Sequence, residues 1–275
     1  DRQPDAGSVA LNRVVGHSGS QIYGQLKANG QVFLTNPNGI LFAPGSKVDV
    51  GGLVASTLDL SQADFADGRY VFNAVGAPGR VVNQGTLNAI AAGYLALFGP
   101  SVDNAGDVSV HAGSVVLASG RAATVSISGS GLISAVVTPG TVAGSVDNSG
   151  RITADGGVVT LSAKSAQDIA ASLVNNSGIV RANTLVEKAG EIWITGDQVT
   201  QSGQVRAAAP DAGDGGRILL IGDMARGSVR VAGALDASAA AGRGGFIETS
   251  AARVQVADGT RVTAAAPQGR AGTWL

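Results

Sequence analysis

One phrase returns along this chain and constrains its fold more than any other feature. It consists of an apolar residue, one or two others, Asn or a substitute, any residue, Gly, and then alternating apolar positions. It reads Val82-Asn83-Gln84-Gly85-Thr86-Leu87-Asn88-Ala89, Val102-Asp103-Asn104-Ala105-Gly106-Asp107-Val108, Val146-Asp147-Asn148-Ser149-Gly150-Arg151-Ile152 and Val174-Asn175-Asn176-Ser177-Gly178-Ile179-Val180, with weaker copies around Gly203, Gly233 and Gly259. Successive glycines are 21, 44, 28, 25, 30 and 26 residues apart, and 44 reads as twice 22. Between the copies lies a second phrase, a glycine opening a short alternating run. Examples are Gly113-Ser114-Val115-Val116-Leu117-Ala118, Gly157-Val158-Val159-Thr160-Leu161 and Gly190-Glu191-Ile192-Trp193-Ile194. Alternation with period two marks short strands, and a turn residue opens each one.

Two or three short strands per 20–30 residues describe a β-solenoid, in which no coil buries its inward side chains alone and stacking supplies the partner. Asn and Gly suit the corners because both tolerate positive φ. The spacing therefore predicts an all-β, right-handed parallel β-helix of about 11 coils, a rod of ~50 Å at ~4.8 Å per coil. It forms one domain over 1–275, with residues 201–275 continuing the coils. Residues 58–73, carrying Asp59, Asp64, Asp67, Arg69, Tyr70 and Phe72, break the pattern and read as an insertion outside the rod. The best helical stretch, 162–173, reads as one turn or an extruded loop. A βαβ fold would need longer amphipathic helices, and a β-sandwich would lack a fixed returning phrase.

Composition fits this reading. Glycine fills 41 of 275 positions and aromatics only 4%, yet 44% of residues are hydrophobic; a narrow stacked interior takes small aliphatic side chains. A net charge of −1 with scattered basic residues leaves no footprint for nucleic acid. The absence of cysteine removes disulfides and thiolate chemistry, and it suits a chain that crosses an oxidising periplasm unfolded.

The segment from Ser20-Gln21-Ile22-Tyr23-Gly24 through Asn29-Gly30-Gln31-Val32-Phe33-Leu34-Thr35-Asn36-Pro37-Asn38-Gly39-Ile40-Leu41-Phe42 to Val50-Gly51-Gly52-Leu53 resembles the secretion domain of two-partner secretion exoproteins, the filamentous haemagglutinin group. The likeness is densest over 8–57 and covers 1–200 as the secretion, or haemagglutination-activity, domain. It implies a secreted or cell-surface exoprotein region exported via the periplasm. The implied partners are an outer-membrane two-partner transporter barrel and its periplasmic domains. It implies an adhesin stalk with an unidentified host or bacterial receptor, and no cofactor. It also implies that the chain begins inside the family's first coils, as a piece of a larger exoprotein. Family members often carry a second Asn-Pro-Asn element, and none occurs here.

Asn36-Pro37-Asn38-Gly39, followed by Ile40, is a strong turn signal: Pro37 presets φ, Asn38 or Gly39 takes positive φ, and the Asn36 amide bonds the turn backbone. It reads as a fold-stabilising corner, with direct recognition by the transporter as the alternative. Tyr23, Tyr70 and Phe72 are the candidate exposed contact aromatics, whereas Trp193 and Trp274 read as packing residues. A β-helix can also house polysaccharide-active enzymes, which need carboxylates gathered on one outer face. The acids Asp147, Asp155, Asp168, Glu187, Glu191 and Asp197 show no common register, and Asp211 to Arg217 reads as a solvated corner. His17 and His111 sit in no nucleophile or metal pattern. The chain is expected not to be an enzyme. Homo-association into a fibre through the rod ends is the alternative function.

Overall fold

The computed structural model describes residues 4–5, 7–128, 131–138, 144–164, 171–186 and 188–275. It is a stack of three-stranded coils. In one coil, Ser101–Asn104, Asp107–Val110 and Ser114–Ser119 make the three faces. The next coil supplies Ser145–Asn148, Arg151–Thr153 and Val158–Ala163, each paired parallel and in register with the strand before it. One face is a nine-stranded sheet. The other two merge into a bent sheet of seventeen strands, because Lys47–Ser56 and Thr86–Gly99 run unbroken around their shared corner. Parallel pairing with side-chain period two repeats each inward position from coil to coil. Thus Val102, Val146, Val174, Val199 and Val229 form one column, and Val115, Val159, Ile192, Ile218 and Ile247 another. The interior is almost wholly Val, Leu, Ile and Ala, with Phe42 its one aromatic.

Among the described residues, the face that includes Ser101–Asn104 has nine strands, fewer than the coils the spacing predicts, and the 44-residue gap explains part of the difference. Asp107 pairs directly with Arg151, so Gly106 to Gly150 is one coil, not two. The surplus residues leave the rod as Ala122–Ser128 and Gly131–Thr138, an antiparallel hairpin. That hairpin joins Asp59–Leu60 and Tyr70–Asn73 of the expected 58–73 insertion in a separate four-stranded antiparallel sheet. A short helix, Gln62–Ala66, lies in the insertion, its N-terminus capped by Ser61 Oγ accepting from the Asp64 N–H. Residues 165–170, within the expected loop or turn at 162–173, lie outside the described residues.

This outer sheet covers one face of the early coils and closes a second core. Phe33, Val54, Leu58, Leu60, Phe72, Tyr94, Ala96, Phe98, Ala123 and Val125 are buried there, with Phe65 and Tyr70 packed against them. The Phe33 ring meets Tyr70 edge-on at 5.0 Å and Phe72 at 5.9 Å, within the favourable range for aromatic pairs. The expectation that Phe72 is an exposed contact aromatic is therefore corrected. Phe72 is fully buried, because the outer sheet turns it inward against the rod, and Tyr70 is half-buried in the same cluster. Tyr23 alone of the three is exposed, at 67%.

The corner residues also differ from expectation in their physical reason. Asn83, Asn104, Asn148 and Asn176 adopt no positive φ, and of the seven anchoring glycines only Gly259 does. Glycine is required by close approach instead. A Cβ on Gly106, Gly150, Gly178, Gly203 or Gly233 would lie 1.9–2.2 Å from the carbonyl oxygen of the preceding corner glycine. The asparagines point inward as a buried ladder. Each Nδ2 donates to the next coil's amide oxygen: Asn83 to Asn104 (2.7 Å), Asn104 to Asn148 (2.8 Å), Asn148 to Asn176 (2.6 Å) and Asn176 to Gln201 (2.7 Å). The ladder stops where Val231 follows Gln201 in register, which leaves the buried Gln201 Nε2 without an acceptor.

Candidate functional site

The Asn36-Pro37-Asn38-Gly39 turn joins Gln31–Thr35 to Ile40–Phe42 at one corner of an early coil. The Gly39 N–H donates to the Asn36 carbonyl at 3.1 Å, closing a four-residue turn. Gly39 takes φ +117°, which resolves the choice between Asn38 and Gly39 and explains the glycine. Asn36 is fully buried, and its amide is fully used. Nδ2 donates to the Ser18 carbonyl (3.0 Å) and Ser20 Oγ (2.9 Å), and Oδ1 accepts from the Asn38 N–H and Nδ2 (3.0 Å each). Asn38 Nδ2 also donates to the Gly16 carbonyl at 2.8 Å.

Contacts on the other side reach the following coil. The Gly79 N–H donates to the Pro37 carbonyl at 2.7 Å and the Ile40 N–H to the Arg80 carbonyl at 3.1 Å. A Cβ at Gly79 would sit 2.8 Å from the Asn38 carbonyl oxygen. The turn thus staples three successive coils. Its amides pin the loop that presents Val15, 76% exposed, and the exposed His17.

The other glycines of this segment also have geometric causes. Gly45, at φ +81°, completes the Ala43-Pro44-Gly45-Ser46 turn, closed by the Ser46 N–H donating to the Ala43 carbonyl. Gly51 stacks under the Gly30 carbonyl, 2.7 Å from where a Cβ would sit. Gly52 leaves room for the Tyr94 ring, 2.7 Å from its missing Cβ. Tyr94 reaches across Gly52 to donate its hydroxyl to Gln31 Oε1, and burial raises its pKa above the usual phenol value. Sequence reading missed this column because Tyr94 lies 63 residues from Gln31.

The other candidate side chains are spread over the coils. Several acids on the coil faces meet arginines of an adjacent coil: Asp155 with Arg181, Asp236 with Arg206 and Asp214 with Arg243. Asp103 and Asp147 do share a register, on adjacent coils. Burial pushes the Asp103 carboxyl up, opposed by its ion pair with Arg80. His17 and His111 are both exposed. Among the described residues, no three His, Asp or Glu side chains gather to hold a metal. Asp168 and Glu187 lie outside the described residues. Trp193 is not a core residue; it faces outward from Glu191–Gly196, and Trp274 is 46% exposed.

The profile of the TPS secretion domain matches residues 2–207. Two Haemophilus influenzae proteins described as heme/hemopexin-binding protein are each 36% identical, over 218 and 212 residues; each alignment covers 72% of this chain. The chain spans only 23% and 22% of those curated relatives. The crystal structure of the HMW1 secretion domain from Haemophilus influenzae superposes with a TM-score of 0.69 at 25% identity, covering 99% of this chain and 88% of that one. The chain belongs to the two-partner secretion domains, the regions of exoproteins that pass through the periplasm and, with a cognate outer-membrane transporter, reach the cell surface or the medium.

Proposed function

We propose that this chain directs the export of a larger exoprotein through its cognate transporter barrel, by way of that transporter's periplasmic domains, and then serves as the base of an adhesin stalk. The observation that carries the reading is the in-register parallel stack. Each coil of the rod finds its hydrogen-bond partners on the adjacent coils, so a coil that has emerged completes itself on its predecessor without waiting for distant chain. Each added coil buries several aliphatic side chains at roughly 1.5–3 kcal/mol apiece, a bias that opposes backsliding. The rod is taken as right-handed, as parallel crossovers almost always are. The chain is read as non-catalytic, in keeping with acids committed to arginines on neighbouring coils.

Export of a secretion-competent exoprotein carrying this region is expected to require the partner barrel; equal export without it overturns the proposal. The Asn36 turn acts in this reading as a staple. Asn36→Ala strands the Asn38 N–H and the Ser18 carbonyl, and is expected to lower stability by roughly 1–3 kcal/mol and export in step. Lost export at unchanged melting temperature would replace the staple with direct recognition. Self-association into a fibre is the alternative, tested by sedimentation at rising concentration; a strictly monomeric chain counts against it.

A further inference from the structure

Beyond the outer sheet, no other described element covers the same face of the rod, and there it carries a furrow lined by three arginines and one aspartate. The corners before Arg217–Ile221, Phe246–Ser250 and Thr273–Trp274 run through Gly215-Gly216, Gly244-Gly245 and Ala271-Gly272. These corners floor a depression of about 340 Å³ that crosses three coils. Asp214, Arg217, Arg243, Phe246 and Arg270 line it, with Arg217 and Phe246 as register neighbours.

The charges in this furrow are not equivalent. Arg243 is taken by Asp214, with Nε and Nη2 donating to Oδ2 at 3.0 and 2.8 Å. Arg217 and Arg270 have no carboxylate within ion-pair distance among the described residues. Arg217 is nonetheless fixed: its guanidinium carbon lies 5.8 Å from the ring centroids of both Trp193 and Phe246, a double cation–π arrangement. Two carboxylates near it accept from neutral donors and keep their charge. Glu191, the register neighbour of Arg217 on the preceding coil, accepts from Trp193 Nε1 at 3.1 Å, and Glu248 accepts from Ser250 Oγ at 2.8 Å.

We propose that this furrow binds a linear, carboxylate-bearing polysaccharide, a chain of uronate units, through Arg217 and Arg270. A guanidinium fork matches the planar carboxylate, and Arg217 is already oriented for it. The two arginines lie two coils apart along the rod, about 10 Å, which suits charges repeated along a polymer. The half-buried Phe246 on the furrow wall offers apolar ring surface not covered by Arg217 to the C–H faces of sugar rings. The furrow spans three coils, as an extended ligand requires. This site goes beyond the export reading and is independent of the Asn36 turn.

The test titrates oligogalacturonate into the 275-residue chain. Binding is followed by calorimetry and by tryptophan fluorescence, since Trp193 and Trp274 are the chain's only tryptophans. A saturable response is expected, weakened about tenfold or more in the Arg217→Gln/Arg270→Gln double variant with an unchanged melting temperature. It should be unaltered in Arg230→Gln on the nine-stranded face, and absent with neutral dextran. No saturable response in the parent chain overturns the proposal, as does full binding by the double variant. Equally tight binding of polyglutamate assigns the furrow to acidic peptide and overturns the polysaccharide.

Discussion

The rod interior and the core beneath the outer sheet are built by opposite rules. Inside the rod, columns such as Val102, Val146, Val174 and Val199 repeat one shape, so each side chain meets near-copies of itself from adjacent coils. Under the outer sheet, Phe33, Phe72, Tyr94 and Val125 bring together segments almost a hundred residues apart, and their rings interlock without repetition. Six of the chain's eleven aromatics lie in or against that second core. Uniform layers allow indefinite extension, whereas interlocking irregular shapes fix a single arrangement. The early coils therefore carry a conventional globular core on the side of a repetitive one.

The sharpest way to break this contrast is Phe72→Ala, which opens a cavity in the irregular core and is expected to cost about 3–5 kcal/mol. Near-UV dichroism should lose its aromatic signal while the far-UV β signature of the rod persists. Simultaneous loss of both would show that the two cores are one cooperative unit.

Next comes the amide ladder. Asn148→Ala removes both the acceptor for Asn104 and the donor to Asn176, an expected loss of roughly 2–6 kcal/mol at about 1–3 per stranded group. Gln201→Ala strands only the Asn176 donor and also deletes an unpaired amide. It should cost about half as much in urea unfolding. Equal costs would show that the ladder does not couple neighbouring coils.

The smallest effect concerns Tyr94 at alkaline pH. Its folded-state pKa is raised by burial, so its contribution is fully present below the unfolded phenol pKa, about 10. It is lost as pH rises beyond that, because only the unfolded chain ionises. Stability should fall by about 1.4 kcal/mol per pH unit there, and Tyr94→Phe should flatten that slope. An unchanged slope in the variant would assign it to another group.

The strand phrase, the parallel stack and the excursion at 58–73 are legible in the sequence, because a rung-by-rung fold writes the same pattern at each coil. The antiparallel pair Ala122–Ser128 and Gly131–Thr138 is not. Residues such as Ala123, Val125 and Ile127 alternate just as a coil strand does, and period two alone does not distinguish an outer antiparallel strand from an inner parallel one. Phe72 was misplaced for the same reason, since nothing local says which surface an insertion folds back upon. At the corners the residue types were recognised and their cause was not. Asn148 and Gly150 resemble turn residues, but the first is selected by an amide on the next coil and the second by a carbonyl on the preceding one. For the Asn36 turn, the internal bonds were foreseeable from spacing, whereas those to Ser18, Gly16 and Gly79 required knowing which coils stack.

The direction of the rod's hydrogen bonds has a mechanical consequence. In the stack they run between successive coils, parallel to the long axis. A pull applied through the chain at one end peels the terminal strands from their neighbours bond by bond, so the terminal turn yields and lengthens the chain before the next one is peeled. Extended strand reaches ~3.3 Å per residue, so a released turn of some 25 residues adds roughly 80 Å. A rod built this way would shed tension through successive small yields instead of one rupture.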